Sequence, residues 1–563
     1  MHHGNYGKEI IMKIAILSLV LCMAFVTMCT EQPIVEKAPV DHIKQQLGKM
    51  APVTLTADLS YLPAEEVHVI KLLVKASQIM DEFFMLQVNE QNPDILKSLK
   101  SSTEPDAQAY VDFFKMMFGP WDRLDEDRPF INSKPKPAGA AFYPEDMTAE
   151  EFHNWIANHP EDQTLFESNF SVIRRKGEKL YAISYSEYYK DRLTKAADLL
   201  KQASKLTSDA ALSTFLSSRA NAFLSNDYYQ SDMDWMDLAG DIEVVIGPYE
   251  VYEDKIFGYK AAFESFVCTV DHESSNQQKA IAQYLVEMEK ALPIADKHKN
   301  FDRGASSPIK VVNLIFSSGD TKAGIQTTAF NLPNDERVRE AKGSKKVMLK
   351  NVMHAKFDKC WIPIVQTVLD PKDLDRVSFD AYFDHVLMHE VSHGLGPGRI
   401  MKNGVETTVN KELKELYSTI EECKADVLGV YNVQFLIDKG VFPKSLENSL
   451  YASNLGGMFR SIRFGIDEAH GGGVAIQLNY YLDAGGVTVN DAGQFASNDV
   501  KMKKAVKALA AEVLEIEANG DYEGAKAFIE KYREVRPQVQ AALDALKNVP
   551  IDIRPIYPIE NEL

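Results

Sequence analysis

The chain has 563 residues, 45% hydrophobic and 25% charged, with a formal net charge of −19. This is an ordinary globular composition, long enough for two or more hydrophobic cores. The acidic balance argues against a nucleic-acid or anionic-membrane surface, either of which would reward a basic patch; an acidic field could favour basic or free-amine substrates, although solubility alone is enough to explain it.

Residues 12–32 read MKIAILSLVLCMAFVTMCTEQ. One lysine followed by an apolar run over 14–28 is too short for a comfortable membrane span and has the form of a secretory signal. Val26-Thr27-Met28-Cys29 resembles a bacterial lipobox. Residues 1–29 are therefore expected to be a leader of lipoprotein type, with Cys29 acylated and the protein exported to the periplasm or held at the membrane; plain secretion is the competing reading. Beyond the leader, Cys268, Cys360 and Cys423 are too few and too dispersed for a disulfide framework.

Residues 30–240 read as mostly helical. Leu193, Ala196, Ala197, Leu200 and Ala203 form one apolar stripe, and Thr148-Ala149-Glu150-Glu151 has the form of a helix start. Five prolines between 119 and 144 break any helix there and predict an ordered surface loop or cleft wall. Over residues 241–355 the texture becomes β-rich. Short β-branched or aromatic runs at 242–246, 266–270, 311–316, 326–330 and 346–349 predict a small sheet or barrel.

Residues 356–563 return to helix and contain His389-Glu390-Val391-Ser392-His393. Positions four apart share one face of a helix, so both imidazoles can reach one metal ion while Glu390 stands beside it as a general base. Chance would place such a motif in roughly one chain in fifty of this size, so its surroundings matter. Tyr382, Phe383, Val386 and Leu387 precede it at helical spacing, and Gly394, Gly396, Pro397 and Gly398 end the helix directly after it. A catalytic zinc needs a third protein ligand and an open position. Glu422 is the candidate, 29 residues beyond His393 in YSTIEECKADVLGVYN. Asp426, one turn later, and Glu421 could each hold a ligating imidazole by hydrogen bond. The same three carboxylates could equally be a solvated acidic helix start, with Ser418 to Glu421 as a capping box. His385 is set aside, since a fourth protein ligand would leave no place for water.

The segments HEVSHG and EECKAD resemble the paired signature of the dipeptidyl peptidase III family of zinc exopeptidases. IGPYEVYEDKIFG at 246–258, NLPND at 331–335, KKVMLKNV and EAHGGG resemble further family segments in family order. The resemblance implies a mostly helical α+β fold in which a helical zinc-binding lobe faces a lobe holding a small sheet or barrel across a cleft. It implies His389, His393 and Glu422 as zinc ligands, Glu390 as general base and Glu421 as a partner of a ligand. Tyr252 stands where the family has a tyrosine that contacts the reacting carbonyl, and Glu250 lies in the same cleft segment. Asn331 and Asn334 are suited to a peptide backbone or a free amine, and composition alone would make them a turn around Pro333. His470 could donate to the tetrahedral intermediate while its glycines admit the substrate backbone.

Two departures stand out. The family's well-studied members read His-Glu-x-x-x-His, one residue longer, as against a shorter branch with the spacing found here. Their arginine four residues beyond the matching histidine is Val474 in this chain, which removes a cation that would contact substrate. The expectation is a Zn2+ peptidase acting on short peptides near their N-termini, most simply releasing dipeptides. The alternatives are aminopeptidase or oligopeptidase cleavage, a hydrolase of some other amide or ester, and a zinc-stabilised peptide-binding lipoprotein with no catalysis.

Overall fold

The computed structural model describes residues 36–131, 133–301 and 309–563. The leader and its Cys29 lie outside them. No helix among the described residues is long and apolar enough to cross a membrane.

The first ordered strand is β1 (Met50–Thr54), followed by the long helix α1 (Ala64–Val88). Val69, Ile70, Leu73, Val74, Met80, Phe83 and Phe84 give α1 a buried face at the three- and four-residue spacing of a helix. Thr148 caps the helix Ala149–Asn158 by accepting from the Glu151 backbone N–H, as its sequence predicts. The proline-rich stretch is indeed non-helical: it folds around a two-residue ladder, Trp121–Asp122 against Arg128–Pro129, and buries Trp121, Phe130 and Phe142. A hairpin, Ser171–Lys176 against Lys179–Ser184, was not foreseen. Its run of Arg174, Arg175 and Lys176 carries no apolar alternation to announce a strand. The stripe at 193–203 is the buried face of α2 (Lys190–Leu206), which packs beside α3 (Ala210–Ser225).

Five strands form one sheet: β2 (Ile242–Glu250), β3 (Ala262–Val270), β4 (Ile309–Gly319), β5 (Ala329–Leu332) and β6 (Lys345–Leu349). Their spatial order is β2-β3-β4-β6-β5, which leaves β5 as an edge strand. The run expected at 326–330 begins three residues late because Gln326 turns away from the sheet, where its N–H donates to the Asp552 carboxylate at 2.7 Å. Side chains alternate along a strand, and here the alternation divides two hydrophobic cores. Val312, Leu314, Val347 and Leu349 join the core of α1, α2 and α3, whereas Val311 and Met348 join the core of the second lobe. Lys346 shares the face of Met348 and is therefore aimed at that second lobe.

The second lobe is helical. It contains α4 (Phe379–Ser392), α5 (Tyr417–Asp438), α6 (Leu446–Ile462), α7 (Ala469–Asp483) and α8 (Asp499–Asn519). Helix α5 is buried nearly all round, with Ile420, Val427, Leu428, Val430, Val433, Leu436 and Ile437 among its buried residues, because α4, α6, α7 and α8 surround it. The C-terminal tail contains β7 (Asp552–Ile556), which pairs in parallel with β1. The two-lobed, mostly helical α+β architecture expected from the sequence is the one observed.

Candidate metal centre

Helix α4 is started by Ser378, whose hydroxyl accepts from the Ala381 N–H, and it stops at His393. The four-residue spacing then sets both imidazoles on one face, with their Nε2 atoms 3.1 Å apart. Helix α5 reaches them because Gly429 has no side chain. A β-carbon there would meet the His385 ring and the His389 backbone N–H at 3.1 Å, so any larger residue would hold the helices apart.

Each ring is fixed from behind by a carboxylate of α5. His389 Nδ1 is 2.7 Å from Asp426 Oδ1, and His393 Nδ1 is 2.9 Å from Glu421 Oε1. A ring whose Nδ1–H donates to a carboxylate has its lone pair on Nε2, which leaves both Nε2 atoms free to bind a cation. Glu422 supplies the third donor. Its Oε2 is 3.4 Å from His389 Nε2 and 3.9 Å from His393 Nε2, and it is buried with no hydrogen-bond partner. Donors about 2.0–2.1 Å from one tetrahedral zinc stand about 3.3 Å apart, so this set fits such an ion. Among the described residues these three are a group of His and carboxylate donors close enough to share a metal. The capping box read at Ser418 does not form: α5 begins at Tyr417 without a side-chain cap, and Glu421 is spent on His393 and Lys424 instead.

The electrostatics agree with a site built for a cation. Burial alone would lower the His389 pKa, but Asp426, then Glu390 and Glu422, push it up to about 9. Burial would raise Asp426, yet the imidazoles of His389 and His385 hold it well below the usual carboxylate range. His385 is not part of the donor set. Its Nε2 lies 3.1 Å from the Asp426 carbonyl oxygen, and burial lowers its pKa.

Glu390 meets Lys346 of the sheet lobe, whose ammonium donates to Glu390 Oε2 at 2.7 Å and to its carbonyl at 3.3 Å. Burial opposes ionisation of Glu390, but Lys346, with His389 and His393 behind it, lowers its pKa below the ordinary value. A cavity of about 620 Å³ adjoins this contact, walled by Leu238, Val270 and Ile309 on the sheet side and by Glu390, Val391 and His393 on α4.

His470 joins the metal group from the start of α7. Its Nε2 is 3.3 Å from Glu422 Oε2, its Nδ1 is 2.7 Å from Glu468 Oε1, and although partial desolvation of this exposed ring opposes it, the carboxylates, Glu422 first, raise its pKa. The glycines after it do not face substrate. Gly473 is buried where a β-carbon would stand 2.8 Å from the Cys423 backbone nitrogen, so it serves the contact of α7 with α5.

The remaining expected residues gather on the sheet lobe. Asn334 Nδ2 donates to the Tyr249 carbonyl at 3.0 Å and its amide hydrogen-bonds Glu250, whose pKa burial raises. Asn331 is exposed on the edge strand β5, paired in register with Lys346 of β6. Tyr252 is 77% exposed. The groups that act on its phenol are Glu250, Asp320 and Glu264, all of the sheet lobe. Among the described residues it makes no hydrogen bond to the metal group. The structure thus assembles two clusters, one on each lobe. Sequence reasoning missed Lys346, Lys424 and Gln477, the last of which donates to Asp426 Oδ2 at 3.2 Å. The strand alternation in KKVML, once paired with the helix motif, was the available signal for Lys346.

Comparisons with known proteins converge on this picture. The sequence model of peptidase family M49 matches residues 144–416. A solved structure described as that of DPP III from Caldithrix abyssi is 53% identical, with a TM-score of 0.89 over 92% of this chain and 99% of that one. The structure of dipeptidyl-peptidase III from Corallococcus sp. strain EGB is 43% identical, with a TM-score of 0.75 over 93% and 99% of the two chains. A protein of Arabidopsis thaliana named Nudix hydrolase 3 is 38% identical over 92% of this chain and 74% of its own length. Dipeptidyl peptidase 3 of Dictyostelium discoideum is 26% identical over 44% of this chain and 39% of its own length. The chain belongs to the dipeptidyl peptidase III family, peptidase family M49, and is a metallopeptidase acting on peptides.

Proposed function

We propose that the enzyme is zinc-dependent and releases dipeptides from the N-termini of short peptides. The observation that carries the reading is the convergence of two Nε2 lone pairs and the unpartnered oxygen of Glu422 on one point, with both Nδ1 atoms already occupied. His389, His393 and Glu422 would hold the ion. When bound, zinc supplies Lewis acidity toward a carbonyl oxygen and lowers the pKa of water.

The chain's own residues do the rest. Glu390, kept ionised by Lys346, accepts a proton at its carboxylate from the attacking water and returns it to the nitrogen of the leaving amine. His470, with its raised pKa, donates from Nε2 to the oxygen that gains charge. The edge strand β5 offers free backbone groups for an extended peptide, which gives affinity without strong side-chain demands. Glu250, Asn331 and Asn334 take the free amine and first residues of the peptide, and that binding limits release to a dipeptide. Tyr252 donates to the reacting carbonyl once substrate draws its loop to the metal cluster.

The test is mass spectrometry of products from a mixed set of short peptides, with and without a chelator. Dipeptides that appear only in the presence of metal support the reading; single residues or internal fragments refute the cleavage position. Glu390→Gln is expected to retain zinc and to lose activity by about 10²–10⁴-fold. Near-normal turnover in that variant would exclude Glu390 as the base.

A further inference from the structure

The cavity beside Glu390 holds a polar group that the mechanism above does not use. One wall of it is the helix His272–Ala282, started by Asp271, whose carboxylate accepts from the Ser274 N–H. Ser274, Gln278 and Ile281 form the buried face of that helix at four- and three-residue spacing. The Ser274 hydroxyl accepts from the Lys350 ammonium at 2.8 Å. Gln278, on the next turn, is 7% exposed, and its Nε2 meets no acceptor among the described residues. It lines the cavity together with Leu238, Val270, Ile281 and Ile309. A buried amide N–H without a partner is destabilising, so a molecule that brings it an acceptor gains more than from an ordinary surface hydrogen bond.

The charges nearby are already matched. Lys310 and Lys345 pair with Glu243, Lys346 pairs with Glu390, and Lys279 is exposed to water. The cavity therefore has apolar walls and one neutral donor inside, and its volume of about 620 Å³ is room for the largest side chains.

We propose that this cavity is the subsite for the residue that follows the cut bond, and that Gln278 makes it select tyrosine there. The inference rests on the dipeptide-release reading given above. Two observations put the occupant on the leaving side. Glu390, which in that reading returns a proton to the leaving nitrogen, is part of the cavity wall, and the side chain of the residue that owns this nitrogen branches from the very next atom. Strand order supplies the other. The dipeptide end of the substrate takes the edge strand β5, whereas Lys346, Ile309 and Val270 of the wall belong to β6, β4 and β3, successively farther from that edge. A side chain that enters the cavity thus leaves the peptide beside Glu390 and passes inward between the sheet and α4.

Tyrosine matches the lining. Its ring supplies the apolar body that the walls cover, and its hydroxyl both donates and accepts, so it satisfies the Gln278 amide whichever end of that amide faces it. Phenylalanine fills the same space and leaves the amide unpaired. A carboxylate or an ammonium would have to leave water for walls whose charges are already paired, which is costly.

The experiment uses the full chain with zinc and matched tetrapeptides that differ only in the third residue, with products identified by mass spectrometry. For the wild type, kcat/KM is expected to be about 10–100-fold higher with phenylalanine than with alanine, from burial of the ring. Tyrosine should add about 3–10-fold over phenylalanine, from the hydrogen bond. Gln278→Met is close in volume and lacks the amide, and it should bring the tyrosine-to-phenylalanine ratio to about one. Ile281→Trp, which extends into the cavity, should abolish the advantage of phenylalanine over alanine. Each ratio compares substrates on one enzyme, so a loss of stability that lowers all rates alike does not move it. A wild-type tyrosine-to-phenylalanine ratio near one overturns the proposal, and that measurement requires no variant to fold. So does a ratio that survives Gln278→Met. A second series, varied at the second residue, completes the test: a tyrosine preference found there and not at the third residue puts the cavity before the cut bond and overturns the proposal alone. Cleavage at a different bond would refute the dipeptide reading, and the proposal with it.

Discussion

His389, Glu390 and His393 were legible from the sequence because their geometry is local: four residues on a helix make one face whatever the rest of the chain does. Glu422 needed chain order and a resemblance, since 29 residues of intervening chain fix no distance. Lys346 was legible only by pairing its strand alternation with the helix motif, because its partner is set by strand pleat and by packing between segments far apart in sequence, and a lysine on a β-strand otherwise looks like an ordinary solvated charge. The carboxylates behind the ligands carry a prediction at this scale. Asp426→Asn keeps the shape but loses the charge that fixes the His389 ring, so zinc affinity should fall about 10–100-fold with the fold intact. Titration against a chelator checks this, and unchanged affinity would remove Asp426 from the site.

Among the elements, α5 is the one on which the site depends. It supplies Glu421, Glu422 and Asp426 from successive turns and touches α4 at Gly429 and α7 at Gly473. The glycines of EAHGGG were read as room for substrate, but the structure uses Gly473 as room for a helix. A sequence shows that a side chain is absent without showing what fills the space. At Gly473 the opposing atoms are backbone nitrogen and Cα of Cys423, which cannot swing aside. Gly473→Ala should therefore cost about 1–3 kcal/mol and displace Glu422, the neighbour of Cys423. Thermal unfolding of the metal-free protein together with a zinc titration measures both effects. If neither changes, the close contact of α5 with α7 does not set the site.

For the whole molecule, the two lobes were anticipated from the family resemblance and the sheet from the change of texture near residue 241, whereas the parallel pairing of the C-terminal tail with β1 was not. Such a pairing joins the two ends of the chain and leaves no local mark in sequence. The proline-rich stretch proved to be tied to the cleft segment through Glu253, where Arg123 donates at 2.9 Å and the Lys136 ammonium stands at 2.6 Å. Burial would raise the Glu253 pKa, but the two cations lower it from 4.5 to about 2. Its contribution, about 3 kcal/mol, is complete above pH 4.5 and is lost as the pH falls toward 2. Glu253→Gln should show that loss already at neutral pH, with the two unfolding midpoints converging in acid; parallel curves would contradict it. The most direct test of the account as a whole is anomalous diffraction at the zinc edge from crystals of the zinc-loaded chain. The account predicts one peak within about 2.0–2.2 Å of His389 Nε2, His393 Nε2 and a Glu422 oxygen. A peak elsewhere, or none at this site in protein that hydrolyses peptides, would contradict it.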